Sequence, residues 1–115
     1  YPLRDEFVLT IAELQEIRNQ ILAYNQVIRQ YSNFYGFAIA ETADFYANLY
    51  DGFVYNGVTM SSKFVSGGAY SLDGIHLNPR GNALLANVFI NAINKTYKSS
   101  IPFANALFYS STYFP

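Results

Sequence analysis

The sequence predicts an α/β fold in which a buried parallel strand lies between two long helices. The first helix is predicted from Thr10 to Tyr35, where apolar residues recur at alternating intervals of three and four. The strand is predicted at residues 37–40, because a short continuous apolar run is typical of a strand that is covered on both faces. The second helix is predicted from Pro79 to Tyr97, with Asn78 as its N-cap, and most of its surface is apolar.

Composition indicates one folded domain. The chain has 115 residues, and a domain with a single core usually has about 100–150. Hydrophobic residues make up 51% and charged residues 13%, which excludes disorder as the main state. A net charge of −1 without a run of like charge argues against nucleic acid as a partner. No apolar stretch approaches the roughly 20 residues of a membrane span, and the absence of cysteine excludes disulfides and thiolate metal sites.

The first helix has clear signals at both ends. Residues 10–13, Thr-Ile-Ala-Glu, have the spacing of a capping box, and Gly36 is predicted to end the helix in a left-handed conformation. The apolar stripe between them consists of Leu14, Ile17, Ile21, Tyr24, Ile28, Tyr31 and Tyr35. This stripe also has the spacing of a coiled-coil seam. Because Val27 and Phe34 broaden it, packing against a sheet is the preferred interpretation.

The middle of the chain predicts a small hairpin. Residues 41–50 are interpreted as a short helix or loop that is rich in aromatic residues. The pair Asn56-Gly57 predicts a type I′ turn between strands at 53–55 and 58–60. The tail from Ile101 to Pro115 shows no periodicity, and we expect it to lie over a neighbouring surface.

Candidate chemistry lies in the loop before the second helix. His76 is the only histidine, and Asp73 lies three residues before it. Within a turn, a carboxylate at this spacing can accept a hydrogen bond from Nδ1 of the imidazole, which leaves Nε2 to act as a general base. Spacing alone leaves a second interpretation open, in which Asp73-Gly74 is an ordinary turn and His76 is a polar residue near a helix start.

The wider segment resembles the last conserved block of the GDSL/SGNH hydrolases, a family of serine esterases, lipases and acylhydrolases. The segment reads Ser-Leu-Asp-Gly-Ile-His-Leu-Asn-Pro-Arg-Gly-Asn-Ala over residues 71–83. Asp73 and His76 match the Asp and His of that family's triad, and Pro79 and Gly81 match the residues that open its final helix. The long helix and the apolar run after it also resemble the helix and last strand before that block, so the resemblance covers nearly the whole chain.

The resemblance implies a fold and a reaction. The fold would be the C-terminal portion of a flavodoxin-like three-layer α/β/α sandwich around a parallel sheet, with residues 1–115 as the C-terminal part of one SGNH-hydrolase domain. The reaction would be hydrolysis of an ester by a Ser-His-Asp triad, in which His76 moves the proton and Asp73 stabilises the imidazolium. The implied substrate is a lipid, an acetylated sugar or a small ester, and no cofactor or metal is implied.

The nucleophile of that family lies in an N-terminal Gly-Asp-Ser block, and no Gly-Asp-Ser occurs in this chain. The serines considered as replacements lack the strand-to-helix turn of a nucleophile; they are Ser61, Ser62, Ser66 and Ser71. The chain begins at Tyr1 and its only methionine is Met60, so we expect a preceding segment that carries the serine. Alone, the chain is expected to be inactive. We also expect it to self-associate through the open edge of its strand or to pair with the rest of the protein.

The alternative function is a non-enzymatic helical interaction module. In this interpretation the two apolar helices pair with another chain, and Asp73 and His76 are merely loop residues. An upstream Gly-Asp-Ser segment would favour the enzyme, and a reading frame that starts near Tyr1 would favour the module.

Overall fold

The computed structural model describes residues 3–112. Within that range the chain forms three α-helices, one pair of strands and two short 3₁₀ helices. In chain order the helices and strands are α1 (Ile11–Tyr35), α2 (Thr42–Asp51), β1 (Phe53–Tyr55), β2 (Val58–Met60) and α3 (Pro79–Tyr97), and the 3₁₀ helices are Asp5–Phe7 and Ala106–Phe108. The chain divides into two compact units, Tyr1–Phe37 and Ala38–Pro115.

The prediction of an α/β fold with a parallel sheet is wrong. The described part of the chain is mainly helical, and its one sheet is the antiparallel pair β1–β2, with neither a parallel sheet nor a three-layer sandwich. Residues 37–40, the expected strand, form no regular element. Their backbone amides bond elsewhere, that of Phe37 to the carbonyl of Ser32 and that of Ala38 to the hydroxyl of Tyr97. An apolar run becomes a strand only when another strand accepts its backbone hydrogen bonds, and residues 3–112 offer it no such partner.

Helix α1 has the predicted ends. The Thr10 hydroxyl accepts a hydrogen bond from the Glu13 amide at 3.2 Å, and the Glu13 carboxylate accepts one from the Thr10 amide at 2.8 Å. Gly36 ends the helix at φ +71°, which glycine adopts without steric strain. The seven residues of its apolar stripe are exposed, from 38% at Leu14 to 65% at Tyr24. The prediction that this stripe packs against a sheet is therefore wrong.

The second unit holds the hydrophobic core. Leu49 of α2, Met60 of β2 and Leu84 of α3 are buried in it, together with Ala69 and Ala106 from the connecting segments. The predicted hairpin is confirmed, because strands β1 and β2 pair in register from Phe53 opposite Met60 to Tyr55 opposite Val58. Its two turn residues both have positive φ, +47° and +82°, as a type I′ turn requires.

Helix α3 binds the tail through asparagine side chains. The Asn87 amide group donates to the carbonyl of Ala104 and accepts from its N–H, both at 2.8 Å. Asn94 makes the same pair of bonds to Ile101, both at 2.9 Å. The expectation that the tail lies over a neighbouring surface is confirmed for this part, and residues 113–115 lie outside the described range. No helix in residues 3–112 combines the length and hydropathy that crossing a bilayer requires.

Candidate active site

Asp73 and His76 lie in a short loop that is closed at its base. The backbone amide of Ser71 donates to the carbonyl of His76 at 2.8 Å. One residue further out on each side, Tyr70 and Leu77 form an isolated antiparallel bridge. The loop is therefore a small hairpin, with Asp73 within its turn and His76 at its closed base.

The Asp73 carboxylate contacts the His76 ring directly. Oδ2 of Asp73 lies 2.6 Å from Nδ1 of His76, so the hydrogen bond expected from the spacing is present. An ionised carboxylate only accepts hydrogen bonds, which makes Nδ1 the donor. Nε2 is then the ring nitrogen that remains for proton transfer, on a side chain that is 79% exposed.

The other carboxylate oxygen of Asp73 holds the loop in shape. Oδ1 accepts hydrogen bonds from the backbone amides of Ile75 and His76, both at 2.9 Å, and from the hydroxyl of Ser71 at 2.6 Å. The Ser71 hydroxyl, followed by the His76 ring and the two amides, holds the pKa of Asp73 well below its usual range. Asp73 is therefore an anion at neutral pH, as the partner of an imidazolium must be.

Ser71 has a role that the sequence analysis missed, because serines were considered there only as nucleophiles. Its hydroxyl donates to Asp73, two residues further on. A serine two residues before an aspartate is close enough for such a local bond, and this spacing is the signal that would have identified it. Ser71 positions Asp73, and Asp73 positions the His76 ring.

The variant Ser71→Ala is expected to raise the pKa of Asp73 and to leave it below its ordinary value, because the largest cause of the depression is removed and three bonds remain. The folded-state pKa lies below the unfolded value of about 3.9. Stability from this group is thus present above about pH 4 and is lost as the pH falls further, and the variant should show a smaller loss. Titration of the Asp73 carboxyl ¹³C resonance measures the shift. Ser66→Ala, at an exposed serine, is the control, and an unchanged pKa in Ser71→Ala would contradict the assignment.

Asn78 joins this loop to the start of α3. Its Oδ1 caps the helix by accepting from the Gly81 amide at 2.9 Å. Its amide nitrogen donates to the carbonyls of Gly68 and Tyr70 at 3.1 and 3.2 Å. Asn78 is buried, so one side chain fixes the strand-like segment before the loop to the helix after it. The predicted helix start at Asn78-Pro79 is confirmed, with this further function.

Gly81 lets the backbone at Ala69 approach α3 closely. A Cβ at this position would lie 2.2 Å from the carbonyl oxygen of Ala69. That same oxygen accepts a hydrogen bond from the backbone N–H of Asn78 at 2.9 Å. Glycine is therefore required here by packing, which gives a physical reason for the residue that the sequence analysis matched to a helix opening.

One large aromatic side chain contacts the turn of the loop. The Phe64 ring lies against Gly74, and a Cβ on that glycine would be 3.2 Å from the nearest ring carbon. Gly74 has φ +71°, so both its conformation and its contact favour glycine. Leu72 and Ile75 flank Asp73 and are exposed.

A separate cavity of about 620 Å³ opens between α2, β1 and α3. Neither Asp73 nor His76 lines it; its walls are formed by Glu41, Asp44, Phe45, Asn48, Phe53, Tyr55, Leu84, Asn87, Val88 and Asn91. In the described range no three histidine, aspartate or glutamate side chains lie together as a metal site would require. The Asp73–His76 pair is therefore the arrangement in which proton-transfer chemistry is recognisable.

Comparison with known proteins found no match, whether against protein-family models, curated proteins or solved structures. The geometry itself defines a class of site: an exposed histidine oriented through Nδ1 by an ionised carboxylate. In nucleophilic triads a pair of this geometry forms the general-base part.

Proposed function

We propose that this chain supplies the proton-transfer pair of a serine ester hydrolase of the GDSL/SGNH type. His76 is the general base and acid, and Asp73 orients it. The observation that carries the proposal is the 2.6 Å contact between Oδ2 of Asp73 and Nδ1 of His76. It is supported by the three further bonds to Oδ1 that keep the carboxylate ionised and in place.

The proposed reaction has two proton-transfer cycles. Nε2 of His76 takes the hydroxyl proton of a serine as its oxygen attacks the ester carbonyl, and the Asp73 carboxylate stabilises the imidazolium. Nε2 then gives that proton to the alcohol oxygen as the bond between the carbonyl carbon and this oxygen breaks. A water molecule is activated in the same way and releases the acid from the acyl-serine. Because the chain contains no Gly-Asp-Ser segment, the proposal places the serine in polypeptide outside these 115 residues.

The exposure of Asp73 and His76 fits a triad in which the serine lies on other polypeptide. The side chains of His76 and Asp73 are 79% and 49% exposed, so solvent screens their interaction in this chain. A second surface that brings a serine against Nε2 would exclude water from the pair. The attraction between imidazolium and carboxylate strengthens as the local dielectric constant falls, and the pair would become effective only in the assembled site.

Asp73→Asn tests this assignment in the full-length protein. An asparagine amide presents a donor or a neutral acceptor to Nδ1, so the tautomer with a basic Nε2 loses its stabilisation. Hydrolysis of p-nitrophenyl acetate is expected to fall by roughly 10⁴-fold, as in other triads. Asp51→Asn, at an exposed position in α2, is the control. A folded Asp73→Asn variant that keeps most of its activity would reject the role of this pair.

One observation favours the alternative of an interaction module. The apolar stripe of α1 has heptad spacing over its whole length, and its seven residues are exposed, which is typical of a helix that pairs with another helix. If this is the function, the wild-type full-length protein hydrolyses no ester. The same assay therefore distinguishes the two functions.

A further inference from the structure

The apolar stripe of α1 is a continuous exposed surface. Its seven residues recur at intervals of three and four, so helix geometry places them in one line along the 25 residues of α1. Exposed apolar side chains occur elsewhere in the chain, but these seven share one helix face at heptad spacing. This is the arrangement of a helix that packs against another helix.

The side chains of the stripe change in size along the helix. The first three, Leu14, Ile17 and Ile21, are aliphatic, whereas tyrosine occupies three of the four positions that follow. One end of the stripe is therefore narrow and the other end is wide. Facing positions pack best when large residues lie opposite small ones, so a second stripe of the same kind fits evenly only if it runs in the opposite direction.

The wide end carries a recess between ordered rings. Tyr31 and Tyr35 stack with their ring centroids 6.1 Å apart, and Tyr35 also stacks on Phe37. A hollow of about 340 Å³ lies beside these rings, and it is lined by Gln30, Tyr31, Phe34 and Tyr35. Side chains of a facing helix enter such holes in coiled-coil packing.

We propose that α1 binds α1 of a second copy of this chain as an antiparallel pair, with Ile17 of one copy opposite Tyr35 of the other. The other facing pairs in this register are Ile21 with Tyr31 and Tyr24 with Ile28. Every layer then combines one tyrosine with one isoleucine, and Ile17 and Ile21 lie against the recess of the second copy. A parallel pair would place each tyrosine opposite its own equivalent.

The area of this contact is sufficient for a dimer. Each copy contributes three tyrosines and three isoleucines, which are between 43% and 65% exposed. Since an aromatic side chain can bury roughly 150–250 Å², the pair buries on the order of 1,200 Å² in total, within the range of specific interfaces. Residues 37–40 form no strand, so this surface differs from the strand edge considered in the sequence analysis.

Charge gives the parallel arrangement little advantage. Heptad positions would bring Glu13 close to Arg18 of the second copy in a parallel pair. The Glu13 carboxylate already accepts hydrogen bonds from the amide and the hydroxyl of Thr10, both at 2.8 Å, and exposed ion pairs contribute little. The proposal does not rest on the proposed function, because Asp73 and His76 lie in the other compact unit.

Sedimentation equilibrium of the full-length protein tests the pairing. We expect a dimer, and Ile21→Glu should raise its dissociation constant roughly 100-fold or more, because the pair would bury two unpaired carboxylates. Leu22→Glu is the matched control, since Leu22 is the next residue, is 67% exposed and lies outside the stripe; its dimer should persist. A monomeric wild type, as expected if other polypeptide covers the stripe, would overturn the inference, and so would equal losses in the two variants.

Cross-linking tests the direction of the pair and covers the case in which Ile21→Glu does not fold. Full-length Ile17→Cys and Tyr35→Cys proteins are mixed and treated with a short bis-maleimide, and the linked tryptic peptides are identified by mass spectrometry. The two variants should link to each other. Ile17→Cys alone should give no link at this position, because the two copies of position 17 lie about 27 Å apart along the antiparallel pair. Self-linking of Ile17→Cys at this position, or no link between the two variants, would overturn the antiparallel arrangement.

Discussion

His76→Ala in the full-length protein is expected to lower the rate of p-nitrophenyl acetate hydrolysis by roughly 10⁴–10⁶-fold. In the proposed mechanism the imidazole is both the base that accepts the serine proton and the acid that returns it to the leaving alcohol, so its removal eliminates both steps. No other histidine exists in the chain to replace it. The side chain is 79% exposed and its one described side-chain contact is with Asp73, so the fold is expected to be unaffected.

The control and the rescue separate chemistry from structure. Tyr50→Ala alters a residue of α2 that is also 79% exposed, and it should leave the rate unchanged. Imidazole added to the His76→Ala variant should restore part of the activity, because a small base can enter the space that the side chain leaves. Full activity of a folded His76→Ala protein would show that ester hydrolysis does not use this residue.

Gly81→Ala is expected to destabilise the protein by about 3 kcal/mol, at the upper end of what overpacking usually costs. The added Cβ would lie 2.2 Å from the carbonyl oxygen of Ala69. That oxygen belongs to the backbone, and it also accepts a hydrogen bond from the backbone N–H of Asn78. The clash is relieved only if the segment before the Asp73–His76 loop moves away from α3, which would break the hydrogen bonds that Asn78 donates to the carbonyls of Gly68, Ala69 and Tyr70.

The expected loss of stability in Gly81→Ala is opposite in sign to the usual effect of replacing glycine by alanine in a helix, so the measurement is decisive. Glycine to alanine within a helix ordinarily stabilises a protein by about 1 kcal/mol. Ala86→Gly, at an exposed position of the same helix, measures that intrinsic effect in the opposite direction. Urea unfolding of the full-length variants gives both free energies. A Gly81→Ala protein as stable as the wild type would show that the close approach of Ala69 to α3 is not present in solution.

Local chemistry was predictable from the sequence. The capping box at Thr10, the left-handed end at Gly36 and the Asn56-Gly57 turn are all confirmed. Each depends on residues that are at most four positions apart, so the side chains that make the hydrogen bonds are already neighbours in the chain. The contact between Asp73 and His76 belongs to the same class, since three residues within a turn bring the two side chains together.

Non-local features were not predictable in the same way. The expected strand at residues 37–40 has the right composition, but pairing depends on a second strand and not on the run itself. The contact of Phe64 with Gly74 joins two separate loops, and no local pattern around either residue indicates it. Asn78 was predicted as a helix cap, whereas its bonds to Gly68 and Tyr70 follow only from the folded path of the chain.

The sequence by itself therefore determined the helix ends, the hairpin turn and the pairing of a carboxylate with the one histidine, because these depend on short-range geometry and hydrogen bonding. Only the tertiary structure decided which apolar segments are covered, which backbone segment requires Gly81, and which aromatic ring lies against Gly74 in the Asp73–His76 loop. The physical reason is that burial and close backbone contact join residues distant in sequence. Apolar composition is equally compatible with a strand, a core helix or an exposed binding surface until the partner surface is known.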